Sequence, residues 1–488
     1  MREPNRPNKR GKRRYPVHPL IAACCLLAVA LVAGMASAQV TSVTVDSSKP
    51  FEKVDGYTYV EGTMHGTVER DDGSVGEYSV PLVLIYPEDG GNGVGVVDWP
   101  NSVYYGVTGH EDLDESMTLQ HARNATDGYL FTAGYTYASV QWSKEVTELF
   151  GPSGDRSDPD YNHLVYGKIE EGTDGWHILR DAARFLRDPT AFDAGDGPLP
   201  VDTVLSFGYS QSAAVQNQFL LLGENTVDGE LAYDGHLLAV GGFACTTLTD
   251  EAPFYSLGLR CDDPSADHQG RPVDDDSKMI AIQAQSDLEA PPFFAALSRF
   301  EDEPNWRQYE LAGVAHIPPS ILPDLSDVQN PVEPAPVFRA AFRNLKLWTT
   351  EGTAPPPSKF LEGEVIPDGE ELAGVMITDL DEDGNALGGL KLPHMEQVID
   401  GEVAGAPLGV YTGLNPDTDP DDPTAGFVLF GGTFTPFDEA ELRERYPDHE
   451  TYVNRVTRAA DYLLDRGYIL EEDRDAYVLE AEQSAIGE

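Results

Sequence analysis

Apolar residues recur among polar ones along 57–68 and crowd together along 78–86; both runs read as strands, and their nearness predicts an antiparallel pair. Short, mostly apolar runs follow at 93–99, 133–142, 203–207, 237–241, 279–284 and 309–312. Runs of that length between polar turns read as strands covered on both faces. Helical spacing appears between them: Trp176, Ile178, Leu179, Ala182, Ala183 and Leu186 fall on one stripe. The strand at 203–207 turns at once into a helix ending at Leu222, and 337–348 reads as an amphipathic helix. Strands first, then strands alternating with helices, predict an α/β fold: a mixed, mostly parallel sheet with helices on both faces.

Residues 352–357 read as a linker. Beyond it, 374–380 and 390–392 flank a turn as the arms of a hairpin would, and 438–479 is helical and highly charged. At the other end, residues 1–14 carry seven Lys or Arg and one Glu, an uncharged apolar run covers 20–35, and Ala36-Ser37-Ala38 follows. That order is the signature of an export signal cut before Gln39. A retained membrane anchor is the rival reading, although the run is short for a full span. The expected organisation is a signal peptide over 1–38, a core over 39–352, and a C-terminal hairpin and helical extension packed on the core over 353–488. The expected location is secreted or periplasmic, with no stable membrane insertion after cleavage.

Composition is that of a globular chain, with 41% apolar and 24% charged residues among 488. Charge changes the picture more. Acidic residues number 83 against 33 basic, and removing 1–38 leaves 82 against 26, a net charge of −56 by the same counting. Such a surface argues against nucleic acid or anionic membrane as a partner. It also repels itself in dilute solution and is screened by salt, so we expect a protein suited to brine or seawater; an ordinary acidic secreted enzyme is the alternative. Two cysteines remain after position 38, Cys245 and Cys261, and an exported protein with two cysteines in one loop-rich stretch is expected to pair them in a disulfide.

Gly208-Tyr209-Ser210-Gln211-Ser212 lies where the 203–207 strand passes into its helix. Cleavage of an ester or amide through a serine needs the hydroxyl lifted out of the sheet on a sharp turn, a histidine beside it, and backbone N–H groups for the oxyanion. The strand–turn–helix context supplies the turn, and small flanking residues let strand and helix approach. The partners of such a serine follow in the order acid, then histidine. Asp287 stands just past the 279–284 strand, with Glu289 as a rival, and His316 stands just past the 309–312 strand. His394 and His449, the other histidines after Asp287, read as surface residues. The oxyanion donors are expected at the N–H of Gln211 and at Asn101 or Ser102, since Pro100 has no N–H.

These segments together resemble a known family. Val97-Asp98-Trp99-Pro100-Asn101, Gly208 to Ser212, Ala312-Gly313-Val314-Ala315-His316 and Trp348 to Pro356 are similar to the α/β-hydrolase superfamily, within it a secreted bacterial group whose elbow reads G-x-S-Q-S. The resemblance implies the α/β-hydrolase fold and a triad at Ser210, Asp287 and His316. It implies no particular substrate.

Other features carry less. Asp379, Asp381 and Asp383 space carboxylates like half of a calcium loop, but Leu390 stands where the closing Glu belongs, and a plain turn is the simpler reading. No zinc spacing and no phosphate loop occur, so no metal or cofactor is expected. Tyr104, Tyr105, Trp142, Phe293 and Phe294 are candidates for an apolar substrate pocket or for core. The reading is a serine hydrolase that cleaves a small-molecule or lipid-like carboxylic ester through an acyl-enzyme. A peptidase or acyltransferase on the same triad and a non-catalytic binding protein on the same fold are the alternatives.

Overall fold

The computed structural model describes residues 39–488 except 71, 102, 105–125, 127, 145–146, 149–166, 193–196, 228, 247, 249–258, 264–275, 322–325 and 419–424. The expected signal peptide, Ser102 and Tyr105 therefore lie outside the described residues. Nine strands form the main sheet: β1 (Gln39–Pro50), β2 (Tyr57–Glu69), β3 (Val75–Pro87), β4 (Val94–Trp99), β5 (Thr136–Val140), β6 (Thr203–Tyr209), β7 (Gly235–Ala239), β8 (Lys278–Ala284) and β9 (Trp306–Leu311). Their spatial order is β1-β2-β3-β5-β4-β6-β7-β8-β9. The β1–β2, β2–β3 and β3–β5 pairs are antiparallel, and every later pair is parallel.

Alternate residues of each central strand belong to two different cores, which is why apolar residues occupy both alternations of these runs. Val96, Leu205, Leu237 and Ile280 face one core, and Val97, Val204, Leu238 and Met279 the other. Helices α1 (Asp174–Arg187) and α2 (Gln211–Leu221) cover the second face. Helix α3 (Ala335–Glu351) covers the first, packing Phe338 and Phe342 on Phe207. Helix α4 (His449–Arg466) adds Ala460 and Leu463 to that core, and α5 (Glu471–Gln483) follows. This is the mixed, mostly parallel sheet that the pattern predicts and the α/β-hydrolase fold that the resemblance implies, with a C-terminal extension.

Three details differ from the sequence reading. A third antiparallel strand, β1, precedes the expected pair. Two register irregularities, between Val40 and Ser42 and between Val45 and Ser47, break its alternation, and Val43 is its one buried residue. The segment at 374–380 pairs elsewhere than expected: Met376–Thr378 lies antiparallel to Gly363–Val365. Gly388 and Gly389, both at positive φ, turn the chain away from that arm, and Leu390 instead bridges to Leu311 at the edge of the main sheet. His394 is not a surface residue: it is half-buried against Tyr411, at 4.9 Å between ring centroids, and burial pulls its imidazole down to about 3.

Cys245 and Cys261 form a disulfide with Cα atoms 4.9 Å apart. The bridge is buried with Leu221 and Phe243, and Phe294 packs against it. Asp381 spends one carboxylate oxygen on the N–H groups of Asp383, Gly384 and Asn385, and Asp383 pairs with Arg445. Those bonds make the turn between Leu380 and Ala386, the simpler of the two readings of that acidic stretch. Among the described residues no three His, Cys, Asp or Glu side chains gather as a metal site.

Candidate active site

The chain leaves β4 for β5 on one side and goes on from β5 to β6 on the other, so the carboxyl ends of β4 and β6 flank a topological switch point, the place where ligands bind in such sheets. Ser210 sits there, at the end of β6, with φ 58 and ψ −114. A serine is held at positive φ only where its surroundings over-determine it. Here the Ser210 N–H donates to the Ala239 carbonyl at 2.8 Å, and the Ser210 carbonyl accepts from Ala214 at 3.1 Å. Strand and helix approach so closely that a Cβ on Gly208 would lie 2.8 Å from the Ser212 carbonyl oxygen. Ser212, which stands where such elbows usually carry glycine, closes the turn with its hydroxyl. Its Oγ accepts from the Tyr209 N–H at 2.9 Å and donates to the Tyr209 carbonyl at 3.0 Å.

His316 reaches the serine from the loop after β9. Its Nε2 lies 2.9 Å from Ser210 Oγ and its Nδ1 2.7 Å from Asp287 Oδ1. An ionised carboxylate can only accept, so Nδ1 carries the proton and Nε2 presents its lone pair to the hydroxyl. Asp287 is wholly buried; its second oxygen accepts from the Ala284 N–H at 2.6 Å. Burial pushes its carboxyl above the ordinary range, against the pull of His316 and of that N–H. Glu289, the rival acid, accepts instead from Gln285 at 2.8 Å, and burial raises its carboxyl too.

The two residues before the acid tie it to the histidine loop. Gln285 donates its N–H to Val314 and accepts at its side chain from Gly313, and Ser286 Oγ accepts from the His316 N–H at 2.8 Å. Tyr209, next to the serine, donates its hydroxyl to the His316 carbonyl at 2.5 Å. Asn101 is at the elbow: its Oδ1 accepts from the Ser212 N–H at 3.1 Å, holding the first turn of α2. Gln211 is the first residue of that helix and is buried. Of the candidate pocket aromatics, Phe293 stacks on the imidazole at 4.3 Å and 23°, whereas Trp142 is core, donating to the Pro100 carbonyl, and Phe294 belongs to the disulfide cluster.

Sequence reasoning misses Phe430. It ends the short helix Ala425–Phe430 in the C-terminal extension and lies 5.4 Å from the His316 ring. A phenylalanine in a short apolar run gives no chemical signal that could have placed it there.

The sheet order, the strained serine and the hydrogen-bonded Ser, His and Asp define a fold with a hydrolase-type site. Residues 55–479 match the family described as alpha/beta hydrolase domain, and the chain belongs to that family. Membership supports hydrolase activity in general. No curated protein matches the sequence. Among solved structures, the chain is similar to LipA, a rice cell wall degrading esterase from Xanthomonas oryzae, at 10% identity over 41% of this chain and 49% of that one, with a TM-score of 0.27. It thus spans about half the length of that esterase. It is similar also to acetyl xylan esterase 1 from a Thermoanaerobacterium species, at 12% identity over 55% of this chain and 79% of that one, with a TM-score of 0.28. A third is XC6422 from Xanthomonas campestris, a serine hydrolase without a lid, at 13% identity over 51% and 84%, with a TM-score of 0.25. The family assignment rests on the sequence match. Among the described residues no helix is long and apolar enough to cross a membrane.

Proposed function

We propose that the protein is a serine hydrolase that cleaves carboxylic esters through an acyl-enzyme, with Ser210, His316 and Asp287 as its triad. One observation carries this reading: a continuous hydrogen-bonded line from Ser210 Oγ through both nitrogens of His316 to a buried carboxylate. In the first half-reaction Oγ attacks the ester carbon while its proton passes to Nε2. Asp287 keeps the imidazole oriented and stabilises its cationic form. The carbonyl oxygen becomes an oxyanion, for which the Gln211 N–H at the start of α2 is the first donor and Asn101 the candidate second. The tetrahedral intermediate collapses, the carbon–alkoxide bond breaks, and the departing oxygen takes the proton from Nε2. Water then repeats the sequence on the acyl-enzyme: its proton goes to Nε2, and Ser210 leaves with that proton as the acid product is released. The substrate class in this reading is a small-molecule or lipid-like ester met outside the cytoplasm.

A fluorophosphonate probe tests the nucleophile, and a panel of simple esters and anilides tests the bond. The expected result is one covalent adduct on Ser210, with turnover of esters well above that of amides. An unlabelled Ser210 together with no ester turnover would overturn the proposal. Labelling with amide turnover in excess of ester would make the protein a peptidase on the same triad.

A further inference from the structure

Phe430 is brought to the histidine by a set of bonds that run through the backbone on both sides of the site. The Ile317 N–H donates to the Phe430 carbonyl at 2.9 Å, which fixes the phenylalanine to the residue after His316. Asn330 donates its N–H to the Gly431 carbonyl, and its side-chain amide donates to both Gly313 and Thr412 at 2.9 Å. The Phe430 ring meets Phe293 edge to face at 5.5 Å, while Phe293 covers the imidazole. Phe293 is 4% exposed, whereas Phe430 is half-buried. The helix it ends reads Ala-Gly-Phe-Val-Leu-Phe, with no charged residue and none fully buried. Half-exposed apolar surface next to a catalytic-type histidine has a use if a substrate covers it.

Which half of an ester would lie there follows from the proton's path. His316 Nε2 must come within hydrogen-bond reach, about 3 Å, of the departing alkoxide oxygen. The first carbons of the alcohol are therefore next to the imidazole and next to whatever flanks it, whereas the acyl chain leaves the reacting carbon in another direction. We propose that Phe430, with Phe293, forms an apolar wall for the alcohol portion of the substrate, so that the favoured esters are those of aromatic or branched apolar alcohols. This rests on the ester-hydrolase reading above and adds to it a specificity residue supplied by the C-terminal extension.

The test uses the full chain and two ester series. One keeps acetate and varies the alcohol from methanol to hexanol and benzyl alcohol; the other keeps methanol and varies the acyl chain from acetate to hexanoate. Phe430→Ala should lower kcat/KM on benzyl acetate by about tenfold or more, as the loss of several buried carbons does, and change methyl acetate and methyl hexanoate by less than about threefold. Phe430→Leu should recover most of the loss on hexyl acetate. An equal fall on every ester, a fall that follows acyl length, or no change would each overturn the proposal. Labelling of Ser210 by a small fluorophosphonate runs in parallel. A wild-type protein that neither labels nor hydrolyses removes the hydrolase reading and this proposal with it. Normal labelling with no dependence on the alcohol removes this proposal alone.

Discussion

Ser210 and His316 stand 2.9 Å apart, yet they are held in different ways. The serine side is built from its own neighbourhood. Gly208 permits the approach of strand and helix, Ser212 closes the turn on Tyr209, and the carbonyl at the end of the adjacent strand fixes the Ser210 N–H. The histidine side is gathered from distant parts of the chain: Tyr209, Ser286, Asp287, Phe293, Asn330 and the backbone carbonyl of Phe430 all bear on one loop. Gly413 of the extension lies so close behind the acid that a Cβ there would be 2.5 Å from the Ser286 nitrogen. In the proposed mechanism Ser210 is the nucleophile and His316 the base, and a nucleophile held locally should tolerate changes far away. A base held by many segments should feel them.

The largest effects should come from the line itself. Ser210→Ala and His316→Ala should each cost about 10⁴-fold or more in kcat, because nucleophile and base act as one unit. Asp287→Asn should approach about 10⁴-fold, since an amide at that position can select the wrong tautomer of the imidazole. Glu289→Gln, whose partner is Gln285, should stay near wild type. A severe loss in Glu289→Gln with a mild one in Asp287→Asn would exchange the two acids.

Gly413→Ala probes the histidine side from behind. The added methyl meets backbone, which cannot swing aside as a side chain can, so the Gln285–Glu289 turn must move and carry Asp287 with it. A displacement of that kind should lower kcat by roughly 10²-fold while the protein remains folded by circular dichroism. A variant with wild-type kcat would show that the extension does not position the proposed triad.

The acids sharpen the comparison. Asp287 and Asp181 are both fully buried, but Asp287 has an imidazole beside it, while Asp181 on α1 accepts from the Tyr78 hydroxyl at 2.9 Å, with Arg184 no nearer than 3.7 Å. Burial pushes the Asp181 carboxyl up to about 6. The folded state therefore favours its protonated form, and the stability that protonation brings is lost as pH rises through that value. Asp181→Asn keeps an acceptor for Tyr78 without the charge. It should raise stability at pH 7 by about 2 kcal/mol, and the gain should shrink as pH falls from about 6 to about 4. Thermal midpoints of both proteins across that range check it; a variant destabilised at pH 7 would show that the ionised carboxylate is favourable where it stands.

The same division explains what the sequence made legible. The elbow, the strand before it, the order of Ser, Asp and His, and the cysteine pair are all local or ordinal features, and they can be read without coordinates. The role of Ser212 hides because a serine in place of glycine looks like a departure until its hydroxyl is seen bonding Tyr209. Gln285 and Ser286 hide for a similar reason: their partners, Gly313, Val314 and His316, belong to the loop after the next strand. Phe430 hides most completely, because only the folded extension brings it to the imidazole. β1 hides behind its own irregular register, and the 374–380 arm behind a pair of glycines that redirect the chain.

The smallest expected effect lies on the serine side. Ser212→Ala removes the hydroxyl that accepts from Tyr209 N–H and donates to its carbonyl, but keeps the Ser212 backbone N–H on Asn101. Alanine keeps the serine Cβ and loses only Oγ, so the close approach of the Ser212 backbone to Gly208 is unaffected. Two buried backbone groups lose a partner, which should cost about 1–2 kcal/mol of stability. The turn itself should persist, because Ser210 remains bonded to Ala239 and Ala214 through its backbone. Turnover should therefore stay within about threefold of wild type, far above the loss expected for Gly413→Ala. Urea unfolding gives the first quantity and ester kinetics the second. If Ser212→Ala instead reduces kcat as much as Gly413→Ala does, the elbow depends on a single staple, and the contrast between a locally held serine and a remotely held histidine fails.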